Sequence, residues 1–115
     1  MAYEIRVFDF TLIASADLTD EQYHFVSVNT DGYIALTGAG DRAVGVLQND
    51  ADDGEASSVR QLGISKLVAG GTIDAGDEVE SGALGVALVQ DTGEANAIAL
   101  EDAVEGDIFS ALLLP

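Results

Sequence analysis

A short block of sequence occurs twice in this chain of 115 residues. Residues 43–47, Ala-Val-Gly-Val-Leu, lead into Asp-Ala-Asp-Asp-Gly-Glu at 50–55, and residues 97–100, Ala-Ile-Ala-Leu, lead into Asp-Ala-Val-Glu-Gly-Asp at 102–107. Glycine readily adopts the left-handed backbone of a tight turn, and the flanking acids stay solvated. Each copy of the block therefore predicts a strand, a turn and a second strand.

Turn signals recur at short intervals along the rest of the chain. Asp31-Gly32 separates two runs rich in β-forming residues and predicts a hairpin. Thirteen glycines and a single proline punctuate further apolar segments. Residues 15–22 hold turn formers and acids that suit one short helical turn at most. This spacing predicts an all-β fold, a small β-barrel or sandwich of short strands with Gly/Asp turns. Strands are expected at 23–28, 33–37, 43–47, 85–90, 97–100 and 108–114. Residues 55–68 are expected to form either one long strand or a bent pair broken at Gly63, and residues 73–79 a tight turn between two short strands.

The chain divides into two parts of unequal size. Residues 1–14 alternate imperfectly between apolar and polar positions, and they are expected to form an extended N-terminal arm or an edge strand. Residues 15–115 are expected to form a single β-barrel domain, because no linker or low-complexity segment interrupts them. No apolar run approaches a membrane span, and the N-terminus lacks the apolar segment of a signal peptide.

The charge is strongly one-sided. Twenty-one acids face four bases, Arg6, Arg42, Arg60 and Lys66, for a formal net charge of −17. Such a surface repels the phosphates of nucleic acid and of anionic membranes, so neither is expected as a partner. A basic protein surface would be attracted. The same composition also suits a high-salt environment, where ions screen self-repulsion.

No sequence motif for catalysis, cofactor binding or metal binding is complete. The chain has no Cys, so thiolate chemistry is excluded. Gly38-x-Gly40-x-x-Ala43 matches a loose dinucleotide fingerprint, but a strand follows it where that fingerprint needs a helix. Residues 49–55 fail the ligand spacing of a calcium loop, with Ala51 at a ligand position. His24, the only histidine, has no catalytic signature near it. No catalytic, cofactor or metal-ligating residue is therefore predicted.

The repeated block also carries a family resemblance. Together with the segments around it, the block resembles the capsid cement, or head decoration, proteins of tailed bacteriophages and related archaeal tailed viruses. The similarity covers most of residues 15–113, and the order and spacing of its motifs carry it more than any one motif. The matching segments are 23–26, 31–32, 41–49, 54–59, 63–71, 73–79 and 97–107.

The resemblance implies a structural, non-enzymatic role. Proteins of this family bind the outer surface of the icosahedral head, after synthesis in the host cytoplasm, and stabilise the lattice of the major capsid protein. The implied partner is therefore the major capsid protein. Homotrimers are implied where three capsid subunits meet, and no cofactor, nucleic acid or membrane is implied.

Two features of the termini fit such a role. The N-terminal segment is too apolar for a free tail, so its residues either anchor the protein to a capsid or complete its own core. The C-terminal strand is apolar on both faces, with Phe109 on one and Leu112 on the other, which favours cover by the core and by a neighbouring copy. The candidate capsid-binding residues are Tyr3, Ile5, Arg6, Val7, Phe8 and Phe10.

Two other function classes remain open on sequence alone. One is a small acidic β-domain that acts as a glycan- or protein-binding module of a virion or cell surface. A glycan site usually exposes aromatic platforms, and the chain has no Trp. The other is an enzyme, which the lack of a convergent nucleophile, base or metal set disfavours.

Overall fold

The computed structural model describes residues 2–115 and confirms an all-β fold. The described residues form nine strands and one short 3₁₀ turn at Ala83–Gly85. Strands β3, β4 and β9 coincide with apolar runs that follow Gly/Asp turns, as the turn signals predict. The strands are β1 Ile5–Ile13, β2 Phe25–Val28, β3 Ile34–Leu36, β4 Gly45–Leu47, β5 Ala56–Val68, β6 Glu78–Ser81, β7 Ala87–Val89, β8 Ala97–Ala99 and β9 Ile108–Leu113.

All nine strands belong to one antiparallel sheet in the order β3-β2-β4-β5-β9-β8-β6-β7, and β1 pairs with β5. The thirteen-residue β5 is the central strand, since it pairs with β1, β4 and β9. Two isolated parallel bridges, Ala14–Ile34 and Ala69–Ala87, join the ends of the sheet back to its long strands. The sheet therefore curls into two small barrel-like halves.

The repeated sequence block forms the predicted turn in both copies. Its glycine has a φ of 83° in the first copy and 88° in the second, which is the left-handed region that favours glycine. The backbone amide of Asp52 donates to the carboxylate of Glu55 at 2.8 Å, and that of Val104 donates to Asp107 at 3.1 Å. The acid that follows each glycine therefore closes the turn, which explains its place in the block.

The block is part of a much larger internal repeat. The first repeat consists of β1 to β4 with the first half of β5, and the second consists of the second half of β5 with β6 to β9. Strands at equivalent positions pair in the same order and the same register. The pair Phe25–Val46 matches Glu78–Ile98, Leu47–Val59 matches Ala99–Ala111, Val28–Ile34 matches Ser81–Ala87, and Ile13–Ala56 matches Val68–Ile108.

Each repeat has its own apolar core at equivalent positions. The buried cluster of the first repeat has seven members, and each has a buried counterpart in the cluster of the second. Burying the same positions in both halves is what holds two weakly similar sequences in one topology. The matched residues are Ala14 and Ala69, Leu18 and Ile73, Val26 and Val79, Ile34 and Ala87, Leu47 and Ala99, Ala51 and Ala103, and Val59 and Ala111.

Some local expectations differ from the structure. Residues 15–22 form no helical turn; instead Leu18 makes an isolated antiparallel bridge to Ala51. The strand expected at 85–90 is confined to β7, because Leu84 and Gly85 adopt positive φ values of 62° and 79° in the preceding 3₁₀ turn. Among residues 2–115, no helix has the length and apolarity needed to cross a membrane.

Candidate functional site

The N-terminal candidate residues lie on β1, which pairs with β5 from Ile5–Ile64 to Ile13–Ala56. Much of this strand is open to solvent, since Val7 is 66% exposed and Ile5 is 53% exposed. Arg6 is also exposed. A strand that leaves so many apolar side chains exposed is a candidate interaction surface.

The aromatic candidates divide between the surface and the core. Tyr3 and Phe8 are each 48% exposed, whereas Phe10 is partly buried against the core of the first repeat. The rings of Phe8 and Phe10 stack with their centroids 6.2 Å apart. The ring of Phe10 thus packs against the ring of Phe8, and Phe8 is the more exposed of the two. Contact of these residues with a capsid stays a prediction.

A buried arginine fastens this segment to the sheet. The Arg60 side chain on β5 is 9% exposed and donates to Asp9 Oδ1 at 2.9 Å and to Glu4 Oε2 at 2.9 Å. Burial opposes the charge of the guanidinium, but the two carboxylates outweigh it and raise the pKa of Arg60. Lys66 Nζ lies 3.6 Å from the other oxygen of Glu4. Glu4 therefore bridges two cations.

The start of the chain crosses from β5 to β9. The Tyr3 amide donates to Ser110 Oγ at 2.6 Å, and this hydroxyl is 3.2 Å from the Tyr3 carbonyl oxygen. Ser110 is fully buried although it lies on the face of β9 that points away from the core. The N-terminal segment therefore covers the middle of that face.

The remainder of that outer face is apolar and partly open. Directly paired residues of neighbouring strands share a face, and Ile64 of β5 pairs with Leu112 of β9, which pairs with Ile98 of β8. We call Ile64, Leu112 and Ile98 the outer row. Ile5 continues the row onto β1. Leu112 is 41% exposed, and Ile64 and Ile98 are partly exposed.

The outer row explains the double apolar character of the C-terminal strand. Phe109, Ala111 and Leu113 of β9 are buried in the core of the second repeat. The opposite face of the same strand shows Ile108 and Leu112, 49% and 41% exposed. The alternation of residues 108–114 predicts both apolar faces of β9, but only the strand register reveals that Ile64 and Ile98 lie beside Leu112 on the outer one.

Other chemistry-bearing groups have structural partners. His24 Nδ1 lies 2.9 Å from the carbonyl oxygen of Leu84 and 3.1 Å from Glu21 Oε2. The histidine thus joins the residue before β2 in the first repeat to the 3₁₀ turn of the second. No group of three or more His, Cys, Asp or Glu side chains in residues 2–115 is arranged to hold a metal ion. The surface features described above suit binding of a macromolecule.

Comparison with known proteins decides the family. The family model described as phage cement protein matches residues 4–114, nearly the whole chain. The chain belongs to the phage cement protein family. This confirms the resemblance seen in the sequence and makes the chain a capsid-associated structural protein of a phage. No curated protein matches the chain.

A solved structure shares the fold of this cement protein. It is described as the head fiber gp8.5 N base in bacteriophage phi29, with 23% sequence identity and a TM-score of 0.78 over 93% of each chain. At this identity the similarity establishes the architecture alone. The match extends over both repeats, so the two-repeat arrangement is shared by the neighbour.

Proposed function

We propose that this cement protein decorates the outer surface of the head by binding the major capsid protein and stabilising its lattice, without enzymatic activity or cofactor. The observation that carries the proposal is family membership over residues 4–114. The exposed apolar side chains of β1 support it, because contiguous exposed apolar surface on a protein often marks an interaction site.

The contact is made by the N-terminal residues Tyr3 to Phe8. Among residues 2–115, β1 pairs with β5 alone along its length, which leaves its other edge available to add a strand of the capsid protein. Tyr3 and Phe8 supply aromatic area, which concentrates binding energy at interfaces. Arg6 adds a charge contact worth only about 0–1 kcal/mol when exposed. Binding of many copies to equivalent sites makes a modest individual affinity effective.

The protein acts as a homotrimer on the capsid, at the positions where three capsid subunits meet. The supporting feature is β9, whose outer face remains partly open in the single chain. A strand with two apolar faces is normally covered on both.

Co-sedimentation with undecorated, expanded capsids tests the proposal. Deleting residues 1–10 removes most of β1 and the Asp9 and Glu4 partners of Arg60, so point substitutions separate binding from folding more cleanly. Val7→Glu, at a 66% exposed site, is expected to weaken capsid binding at least about tenfold, since it places an unpaired charge in the interface. Val28→Glu, at a 41% exposed site on β2, is the matched control.

The melting curves of both variants should match that of the parent within a few degrees. Parent protein that fails to bind expanded capsids would refute the capsid proposal. If Val7→Glu binds as tightly as Val28→Glu, the contact lies elsewhere on the protein and the assignment to β1 is wrong.

A further inference from the structure

We propose that the hairpin between β6 and β7 carries a second anchor for the major capsid protein: the Leu84 side chain at its tip, which enters an apolar recess of that partner. The inference rests on the proposed function for the identity of the partner. Its evidence is a left-handed backbone beneath an exposed apolar side chain, together with the equivalent hairpin of the first repeat.

The hairpins β2–β3 and β6–β7 have equivalent loops, residues 29–33 and residues 82–86. In both loops the first amide donates to the carbonyl of the last residue, at 2.9 Å and 2.7 Å, and the fourth amide donates to the first carbonyl, at 3.0 Å and 3.3 Å. The fourth residue is Gly32 or Gly85, with φ values of 82° and 79°. The third residues, Asp31 and Leu84, therefore occupy the same position at the two tips.

The two tips differ at this third position. Leu84 has a φ of 62° and a ψ of 27°, in the left-handed region, whereas Asp31 has no positive φ. Glycine or asparagine adopts this backbone more readily than leucine does. Packing within the chain offsets little of the strain, because the Leu84 side chain is 66% exposed. Strain of this kind at an exposed residue often accompanies a function, and here it points to a contact outside the chain.

The first repeat holds the tip of the second hairpin in place. The Leu84 carbonyl oxygen lies 2.9 Å from His24 Nδ1. Gly85 packs so closely on β2 that an added Cβ would clash with the Phe25 carbonyl oxygen. A Cβ built on Gly32 would instead meet nothing within 4 Å, so the first tip lacks such support. The second tip is thus fixed before it binds, which lowers the entropic cost of a contact.

The chemistry of the second hairpin suits an apolar recess. Residues 81–90 contain no charged side chain, although the chain has a net charge of −17. Leu84 and Val89 are 66% and 41% exposed within this stretch. Family membership over residues 4–114 favours the major capsid protein as the partner. The uncharged tip can enter a recess of that protein without burying a carboxylate, which Asp31 would do at the first tip.

A short series of contacts joins this hairpin to the N-terminal segment that is proposed to touch the capsid. Tyr23 directly precedes His24, and its ring centroid lies 5.6 Å from Lys66 Nζ. Lys66 Nζ in turn lies 3.6 Å from Glu4 Oε1. The hairpin and the N-terminal segment are therefore linked through neighbouring side chains, which suits one continuous contact with the capsid.

The test is co-sedimentation of full-length variants with undecorated, expanded capsids, measured beside their thermal unfolding. Leu84→Gly and Leu84→Asn remove the apolar side chain and relax the left-handed backbone. Each is expected to weaken capsid binding at least about tenfold, the effect of losing one buried leucine, and to melt at or above the temperature of the parent. Leu84→Met keeps an apolar side chain of similar volume, so it should bind more tightly than either variant.

Val104→Gly is the matched control. Val104 is 56% exposed in another turn of the second repeat, and it has no positive φ. This variant should bind capsids as the parent does and melt at a lower temperature, because glycine adds backbone freedom to the unfolded chain. The test and control variants are thus expected to change binding and stability in opposite patterns.

Three outcomes would overturn the inference. The first is capsid binding by Leu84→Gly and Leu84→Asn as tight as that of the parent. The second is a lower melting temperature for both, which would mean that Leu84 serves the fold. The third is an equal loss of binding in Val104→Gly. A parent chain that does not bind capsids removes the decoration function and this anchor together, whereas a parent that binds no better than Leu84→Gly removes the anchor alone.

Discussion

The buried Arg60 network offers a quantitative test of how the first repeat is held together. Arg60 contacts Asp9 and Glu4, and its position is filled by Leu112 in the second repeat, where Ile64 replaces Asp9. The repeat thus provides an apolar solution to the same structural position. We expect Arg60→Leu alone to be destabilising, because it leaves two carboxylates without their shared cation.

The size of the loss follows from burial. Removing one partner of a fully buried ion pair costs about 3–5 kcal/mol. Here the Asp9 and Glu4 side chains are 17% and 29% exposed, so water solvates part of the charge that is left behind. We therefore expect Arg60→Leu to lower the free energy of unfolding by about 2–4 kcal/mol. At roughly 3–6 °C per kcal/mol for a domain of this size, the melting temperature should fall by about 6–24 °C.

The double variant Asp9→Ile/Arg60→Leu reproduces the residues of the second repeat and should recover part of that loss. Urea unfolding of the parent, both single variants and the double variant gives the coupling between the two side chains. A loss below about 0.5 kcal/mol for Arg60→Leu, or a double variant no more stable than the single one, would refute the reasoning. Circular dichroism confirms that each variant remains a β-protein.

Three further predictions concern stability. Melting temperature should rise between low and molar potassium chloride, because screening relieves the repulsion of a chain with a net charge of −17; a flat or falling trend would contradict this. Gly63 has a φ of 110°, and an added Cβ would clash with the Ile5 carbonyl oxygen, so Gly63→Ala should lower the free energy of unfolding by clearly more than about 1 kcal/mol. Gly106→Ala, with a φ of 88° but open space around it, should cost only about 1 kcal/mol, and equal losses in urea unfolding would refute the contact argument. Ser57 Oγ is buried without a hydrogen-bond partner in residues 2–115, so Ser57→Ala should be neutral or stabilising by up to about 1 kcal/mol, and a loss beyond that in the same assay would reveal a missed partner.

Local signals in the sequence were sufficient for the turns and for the fold class. Gly54 and Gly106 have the positive φ that their block predicts, and Asp31-Gly32 closes the expected hairpin. These features depend on a few adjacent residues, whose backbone preferences act over short distances. The two faces of β9 were also recognisable, because alternation along one strand needs no knowledge of its neighbours.

Long-range pairing was beyond the reach of the sequence. β1 pairs with residues about fifty positions away, so its local pattern left an arm and an edge strand equally open. The outer row depends on the register of three strands, and one residue of slip would turn each side chain to the other face. The repeated block shows the duplication only around two turns, at residues 43–55 and 97–107. Elsewhere the repeats share buried positions rather than identities, as with Ile34 and Ala87.

The shared central strand has a consequence for how the molecule comes apart. β5 is the last strand of the first repeat and the first strand of the second. Neither half can lose its long strand without removing ladder partners from the other, so the two cores are expected to melt in a single transition rather than in sequence. Amide hydrogens of β5 should then exchange only through global opening, at the slowest rate in the chain. A duplicated unit joined by a flexible linker would lack this mechanical coupling, and strain applied to one half would stop at the junction.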